Sequence, residues 1–367
     1  MDKVKLTDIC RPKQWKTIST AQLKESGYPV YGANGKIGFY NEYTHEFPTL
    51  LITCRGATCG TVNISEPKSY VNGNAMALDN LSKDYDLKFL YHYFGQRGFN
   101  DVISGSAQPQ ITRENLSKVE VPKINLATQQ RIAAILDQAD AIIQNNRAIV
   151  QKYDALTQSL FLDMFGDAVK NEKGWNLKTL GEIIDFLTSG SRGWAKYYSN
   201  EGDIFLRIQN VGYNKLRLDD VCYINTPNTA EAKRTRVIPG DIVLSITADL
   251  GRTAVIPENF PNAFINQHLA VLRLSQENNP IFVSAFIASY GGQTLFNKLD
   301  KGGVKAGLNF TDIKSYNIFC PPIDLQNQFA ERVAVIEAQK QQAQEALAKS
   351  EALFESLLQK AFKGELN

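Results

Sequence analysis

The sequence lacks the features that place a protein in a membrane or in an oxidising compartment. Its 367 residues contain no run of about 18 apolar residues, the length that a membrane-spanning helix needs. Residues 1–5 carry charges without the apolar stretch of a signal peptide. The five cysteines are an odd number with only Cys54 and Cys59 close together, which argues against a disulfide framework or a structural zinc site. We therefore expect a cytoplasmic protein with no membrane partner.

Residues that commonly carry out catalysis are also scarce. His45, His92 and His268 are the three histidines, and none has another at helical spacing, so histidine-based metal sites and catalytic triads have little support. Residues 32–36 do not have the spacing of a phosphate-binding P-loop. Residues 279–282 only partly resemble the motif with which adenine methyltransferases hold a flipped base, and a helix start explains them better. We predict no catalytic residue, no metal and no cofactor.

Charge of one sign is not in excess either. The net charge is +2, from 40 Lys and Arg against 38 Asp and Glu, so the whole chain generates no strong basic field. Hydrophobic residues make up 43% and charged residues 21%, which is typical of a globular protein and excludes disorder as the main state. The length suggests two or three domains.

One unit is written twice along the chain. Phrases in the first half recur in the same order in the second: residues 5–9 and 179–183, 28–31 and 204–208, 49–53 and 241–245, 70–74 and 264–268. The strongest match aligns Pro122, Ile124 and Gln129 with Pro321, Ile323 and Gln328. An internal repeat of this kind predicts two similar structural units.

Each strong match is followed by a long helical segment. Apolar residues there recur alternately four and three residues apart, the spacing of a coiled-coil seam. The seam candidates are Leu136, Ile143, Val150 and Leu160 in the first segment and Phe329, Val333, Ile336, Leu347 and Leu357 in the second. Gly166 and Gly364 are typical helix stops. One such helix could be a dimerisation coil, but two in one chain favour an antiparallel pair.

The blocks before the two helices mix strand and helix patterns. Residues 240–246 and 252–256 read as strands, whereas 87–99 and 280–299 read as helices. We therefore predict an α+β fold with two tandem globular domains, each followed by a long helix, the two helices pairing as an antiparallel coiled coil. The predicted bounds are 1–125 for the first domain, 126–174 for the first helix and linker, 175–325 for the second domain and 326–367 for the second helix.

Polar residues near glycines and turns suit contact with nucleic acid, because Arg and Gln match the edges of guanine and adenine. The candidates in the first block are Lys36, Thr53, Arg55, Arg97, Gln108, Gln110, Thr112 and Arg113. Those in the second block are Arg207, Gln209, Asn210, Lys233, Arg234, Arg236, Thr247, Arg252, Lys301 and Lys305. The loops 105–110 and 302–307 form the best clusters, since small residues let the backbone approach phosphate. The same glycines could simply form turns.

Together these features resemble the DNA-specificity subunit of type I restriction-modification systems. The resemblance covers the whole chain and is carried by residues 122–129, 321–328 and 105–111, with a departure at 304–307. It implies that each globular block is a target-recognition domain that reads one half of a bipartite, asymmetric double-stranded DNA target. It also implies that the paired helices act as a spacer.

By the same resemblance, catalysis belongs to partners. Two DNA adenine methyltransferase subunits would bind the chain, and restriction or translocase subunits could join them. Two alternatives stay open: a scaffold whose globular blocks bind protein, and a specificity subunit of a related defence complex with a different effector enzyme. The modest net charge leads us to expect weak DNA affinity of the chain by itself.

Overall fold

The computed structural model describes residues 2–33, 35–105, 108–299 and 307–366. Contacts divide the chain into two units, unit 1 comprising residues 1–148 with 344–367 and unit 2 comprising residues 149–343. The two long helices begin at Leu126 and Ile323, next to the predicted domain bounds at 125 and 325. Each helix contributes one part of its length to each unit, so neither helix belongs wholly to one unit.

Unit 1 begins with a short two-stranded sheet and continues with a four-stranded and a three-stranded sheet. Its strands are β1 Lys3–Lys5, β2 Arg11–Gln14, β3 Tyr28–Gly32, β4 Gly35–Tyr40, β5 Leu50–Thr53, β6 Val62–Ile64, β7 Tyr70–Val71, β8 Ala75–Asp79 and β9 Glu120–Pro122. Its helices are α1 Leu6–Ile9, α2 Leu87–Arg97, α3 Arg113–Leu116 and the first part of α4 Leu126–Phe165. The strand orders are β1-β9, β2-β8-β5-β6 and β4-β3-β7.

Unit 2 repeats this arrangement. Its strands are β10 Leu177–Thr179, β11 Ile184–Ser189, β12 Tyr198–Ser199, β13 Asp203–Leu206, β14 Cys222–Ile224, β15 Ile242–Ser245, β16 Thr253–Val255, β17 Ala263–Ile265, β18 Leu269–Leu274 and β19 Asn317–Phe319. Its helices are α5 Leu180–Ile183, α6 Ala230–Thr235, α7 Pro280–Ala288, α8 Tyr290–Asn297, α9 Phe310–Lys314 and the first part of α10 Ile323–Lys363. The strand orders are β10-β19, β11-β18-β15-β16 and β12-β14-β13-β17.

The matching strand orders confirm the internal repeat. Both units contain an antiparallel four-stranded sheet and a second sheet, of three strands in unit 1 and four in unit 2, with one parallel pair, β3 with β7 and β13 with β17. The phrase at the start of each repeat forms α1 or α5, and its first leucine, Leu6 or Leu180, is fully buried in the core of its unit. The predicted α+β class is therefore confirmed.

Within each unit the long helices run antiparallel. In unit 1, Asn146 Nδ2 donates to Ser350 Oγ at 3.2 Å and Arg147 pairs with Glu351 at 2.7 Å. In unit 2, Lys340 Nζ lies 2.5 Å from Asp154 Oδ1, and the rings of Phe165 and Phe329 are 5.3 Å apart. A lower residue number on α4 thus faces a higher one on α10, as the seam pattern predicts.

The seam candidates lie on the less exposed side of both helices. Leu136, Ile143, Phe329 and Val333 are buried, and Val150, Leu160, Ile336, Leu347 and Leu357 are half-buried. Lys340 occupies a seam position and is 5% exposed. Its ammonium group is neutralised by Asp154 and lies 3.6 Å from Glu337, as a buried charge requires.

The helix ends follow from local chemistry. Gly166 and Gly364 adopt φ of +83° and +82° just after α4 and α10, a left-handed conformation that glycine adopts without strain. Asn279 caps α7 by accepting from Ile281 N at 2.9 Å, and Pro280 occupies the first turn, where no backbone donor is needed. Residues 279–282 are therefore a helix start, as predicted.

The segment 280–299 is helical as predicted, except for one break. The structure divides it into α7 and α8 at Ser289, whose backbone is extended and whose hydroxyl accepts from Gly292 N at 3.0 Å. At Gly292 an added Cβ would lie 1.9 Å from the Phe286 carbonyl oxygen, so the break depends on glycine. Periodicity alone does not reveal a break that leaves the apolar pattern intact.

The alignment of Gln129 with Gln328 is wrong, by two residues. Gln129 Oε1 accepts from the N-terminal N–H of α2 at Asp86, and Gln326 Oε1 accepts from the corresponding N–H of α7 at Asn279, both at 2.9 Å. The amide of Gln129 donates to Ile124 O and that of Gln326 to Pro321 O. Gln326 is therefore the structural equivalent of Gln129, whereas Gln328 is exposed.

Candidate nucleic-acid interface

Three loops meet at one end of unit 1, formed by residues 54–61, 72–74 and 104–111. Cys54 N donates to Asn74 O and Ile111 N donates to Cys54 O, both at 3.0 Å. Arg55 and Gln110 form an isolated antiparallel bridge. We call the described residues of these loops loop edge 1; residues 106 and 107 lie outside the described ranges.

Unit 2 builds the same junction from residues 246–252, 266–268 and 307–308. Ile246 N donates to His268 O at 3.0 Å and Leu308 N donates to Ile246 O at 2.9 Å. Thr247 and Gly307 form the bridge that corresponds to Arg55 and Gln110. We call these residues loop edge 2. The backbone contacts of the two edges are therefore equivalent.

The side chains at these equivalent backbone positions differ. Each residue of loop edge 1 has a different residue at the same position of loop edge 2. The pairs, with the loop edge 1 residue first, are Arg55 and Thr247, Gly73 and Gln267, Asn74 and His268, and Gln110 and Gly307. A shared backbone thus holds two different sets of hydrogen-bonding groups. Such an arrangement suits two domains that recognise different ligands of one chemical class.

Five of the predicted residues of unit 1 lie at loop edge 1 or directly after it, and all five are exposed: Arg55, Gln108, Gln110, Thr112 and Arg113. Thr112 also caps α3 by accepting from Asn115 N at 3.1 Å. Neither Arg55 nor Arg113 forms a salt bridge with any residue of the described ranges. Their guanidinium groups are available to an anionic or polar ligand.

The other three predicted residues of unit 1 have partners within the fold. Thr53 is 1% exposed and donates to Ala33 O at 2.7 Å. Lys36 pairs with Glu66 at 3.0 Å. Arg97 holds both carboxylate oxygens of Asp101, at 3.1 and 2.7 Å. Sequence could not distinguish these structural roles because the partners are distant in the chain or lie beyond the end of the helix.

Thr247 and Arg252 lie at loop edge 2. Thr247 Oγ1 is 2.6 Å from His268 Nδ1. Arg252 is bound to Asp249 of the same loop, so much of its charge is compensated. Two further candidates, Lys301 and Lys305, lie outside the described residues.

The predicted residues 207–210 lie on a different loop. Arg207 and Gln209 both donate to Asp220 Oδ2, at 3.2 and 2.9 Å. Asn210 is 1% exposed and its amide donates to Arg217 O and Asp220 O. It therefore holds the loop closed from inside.

The basic residues of α6 are divided in a similar way. Arg234 donates to the Thr188 hydroxyl and, at 2.8 Å, to Ser189 O, which ties α6 to β11. Lys233 and Arg236 are exposed, and the backbone of Arg236 pairs with Phe264. Structure thus brings only part of the predicted set together at the loop edges.

The two repeated units match a known family of domains. The sequence matches the type I restriction modification DNA specificity domain over residues 1–152 and again over 172–348. The chain belongs to this DNA-specificity family. It therefore carries two specificity domains and is a non-catalytic specificity subunit of a type I restriction-modification complex.

Individual members of the specificity family are distant but extensive matches. The EcoBI specificity subunit of Escherichia coli is 23% identical over 354 residues, covering 86% of this chain and 73% of that protein. The MjaIX specificity subunit of Methanocaldococcus jannaschii is 24% identical and covers 77% and 69%. The type I S subunit from M. genitalium has a TM-score of 0.64 at 17% identity, covering 98% and 95%, which shows a common fold.

The loop edges also contain polar residues that the sequence patterns did not single out, namely Asn74, Gln267 and His268. Their signal was the aligned phrase 70–74 and 264–268, in which Gly73 and Asn74 are replaced by Gln267 and His268.

Two cysteines, Cys54 and Cys59, belong to loop edge 1. Burial raises the pKa of both thiols, which disfavours their reactive thiolate forms. The described residues hold no group of three or more His, Cys, Asp or Glu arranged to bind a metal. None of the described helices combines the length and apolarity needed to cross a membrane.

Proposed function

We propose that the chain reads a bipartite, asymmetric double-stranded DNA target, one half-site with each loop edge. The observation that carries this proposal is the equivalent backbone of the two edges with its different side chains. Family membership supports DNA as the ligand class. Because the two sets of hydrogen-bonding groups differ, the two half-sites must differ in sequence.

Side-chain chemistry supports a major-groove contact by loop edge 1. Arginine pairs with guanine O6 and N7, and glutamine pairs with adenine N6 and N7. Arg55, Gln108 and Gln110 are exposed side chains of these types, and Arg113 adds a positive charge nearby. We assign Arg55 and the two glutamines to base reading and Arg113 to phosphate contact.

The described residues of loop edge 2 carry no net charge, since Arg252 is paired with Asp249, so their contacts depend on neutral hydrogen bonds. Thr247, Gln267 and His268 are the partly exposed side chains that we assign to the second half-site. Arg252 stabilises its own loop through Asp249. Thr53 and Asn210 are not part of the proposed interface because both are buried.

We infer that the catalytic partners are two DNA adenine methyltransferase subunits, with restriction or translocase subunits able to join. Each unit has a groove between its α2 or α7 helix and the helix pair, with cavities of about 410 Å³ in unit 1 and 390 Å³ in unit 2. Asp140 and Glu337 occupy corresponding positions in these grooves. Two grooves at equivalent positions, each with a carboxylate at the same position of the repeat, support docking of two copies of one partner.

The test of DNA reading is co-expression with the methyltransferase of the same system, followed by mapping of methylated adenines in the host genome by single-molecule sequencing. Each protein expressed by itself is the control. We expect one bipartite motif only when both are present. Arg55→Ala should relax bases in one half of the motif and Thr247→Ala in the other half.

Two results would contradict the proposal. If the complex forms but no sequence is methylated or protected, the globular units are a scaffold or serve a different effector enzyme. If Arg55→Ala relaxes both halves equally, the loop edges do not divide the target.

A separate test addresses the partner surface. The double variant Asp140→Lys with Glu337→Lys should abolish copurification of the methyltransferase. Asp163→Lys, at an exposed position on α4, should not.

A further inference from the structure

We propose that His268 is a positioning residue that orients the Gln267 amide to read one adenine of the second half-site. The inference rests on the proposed function of loop edge 2 and goes beyond it by naming a base. It starts from two consecutive contacts that join three side chains. Thr247 Oγ1 lies 2.6 Å from His268 Nδ1, and His268 Nε2 lies 3.0 Å from Gln267 Nε2.

The chemistry of these atoms determines the direction of the hydrogen bonds. The Gln267 amide nitrogen is only a donor, so His268 Nε2 must accept and therefore carries no proton. The proton of the neutral ring is then on Nδ1, which donates to the Thr247 hydroxyl oxygen. The Thr247 hydroxyl, which can accept as well as donate, is compatible with the ring tautomer that accepts from Gln267.

This arrangement leaves one part of the Gln267 amide without a partner in these contacts. One amide N–H is taken by His268, and the second N–H and the carbonyl oxygen remain. Those two groups are the donor and acceptor that glutamine uses to pair with adenine N7 and N6. Because the ring holds the amide, less side-chain entropy is lost when the base is bound.

Backbone contacts of loop edge 2 fix the position of His268. Its backbone N–H donates to Asn266 Oδ1 at 3.1 Å, and its carbonyl oxygen accepts from Ile246 N at 3.0 Å. Asn266 is 8% exposed, so the loop is anchored in the interior. In unit 1 the corresponding positions are Gly73 and Asn74, which cannot form this relay.

The experiment measures methylation rates of the chain assembled with its methyltransferase on DNA duplexes in which each position of the second half-site is varied in turn. We expect Gln267→Ala to reduce an A·T preference at one position by about tenfold or more. His268→Phe keeps a planar ring but removes both nitrogen contacts, and it should relax the same position. Thr247→Val should relax that position to a smaller degree.

A purely structural role of His268 would lower the rate on all duplexes equally, and that result would overturn the inference. So would an unchanged base preference in Gln267→Ala. The matched control is Asn74→Ala, which should affect only the first half-site. If the wild-type complex shows no bipartite preference, the proposed function itself has failed; if it does and Gln267→Ala leaves it intact, only the present inference has failed.

Discussion

At the scale of single residues, one buried amide side chain performs the same task in each unit. Gln129 and Gln326 are 0% and 1% exposed, and each satisfies the first backbone N–H of a neighbouring helix. A helix start that is buried without such a partner loses the hydrogen bond it would make with water. The glutamine in the repeated phrase is therefore explained by folding and not by contact with a ligand.

Gln129→Leu and Gln326→Leu should each lower the free energy of unfolding by about 1–3 kcal/mol, because each leaves a buried donor without an acceptor. Urea denaturation followed by circular dichroism measures the change. The matched control is Gln328→Leu, two residues from Gln326 and exposed, which should change stability by less than about 0.5 kcal/mol. Equal losses of stability in Gln326→Leu and Gln328→Leu would contradict the equivalence of Gln326 with Gln129.

At the scale of elements, a charged cluster joins α2 to α4 in unit 1. Asp137 on α4 accepts from Lys88 at 2.5 Å and from His92 at 2.8 Å. Burial raises the pKa of the Asp137 carboxyl, but the hydrogen bonds from Lys88 and His92 outweigh burial and hold this pKa below the usual value of 3.8. In unit 2, α7 packs against α4 through aromatic contacts such as Phe161 with Phe282.

The Asp137 cluster predicts a pH dependence of stability. Since the folded-state pKa is lower than the unfolded one, the stabilisation is complete above about pH 5 and is lost as the pH falls through the folded-state pKa. Asp137→Asn should cost about 1 kcal/mol at pH 7, a modest value because solvent screens the third-exposed carboxylate. The difference from wild type should vanish near pH 2.

Urea midpoints at pH 7, 4 and 2.5 measure this dependence. Asp163→Asn, an exposed carboxylate on the same helix, is the control and should not change the acid sensitivity. A constant difference between Asp137→Asn and wild type at all three pH values would mean that the carboxylate stabilises the contact by packing alone.

At the scale of the whole molecule, the helix pair is the feature that suits a spacer between two half-sites. We propose that its length determines the gap between them. Residues 147–153 of α4 and 341–347 of α10 form one heptad each, bounded by the pairs of Asn146 with Ser350 and Lys340 with Asp154. Their joint removal keeps the seam pattern and shortens each helix by about 10 Å.

Deleting both heptads should shorten the unspecified gap of the target by about three base pairs, since base pairs are about 3.4 Å apart. Methylome sequencing of cells that carry the deleted chain with its methyltransferase measures the gap. Deleting only residues 147–153 is the control, which should disrupt the seam and abolish methylation. An unchanged gap in the double deletion would rule out a rigid spacer.

The sequence by itself determined the repeat, the fold class, the two long helices and their stops, because these depend on periodicity and on local backbone chemistry. It also pointed to Arg55, Gln110 and Thr247, since turn glycines and polar side chains stand together there. These features are encoded within short stretches of chain. The family resemblance followed from the same stretches.

Tertiary structure decided which polar residues are free to bind. Thr53, Asn210 and Arg234 look like candidates in the sequence, but their partners Ala33, Arg217 and Thr188 come from elsewhere in the chain. Likewise, Thr247, Gln267 and His268 meet only when two loops pack together. Burial and hydrogen-bond pairing over long sequence distances depend on the packed fold, which no local pattern reports.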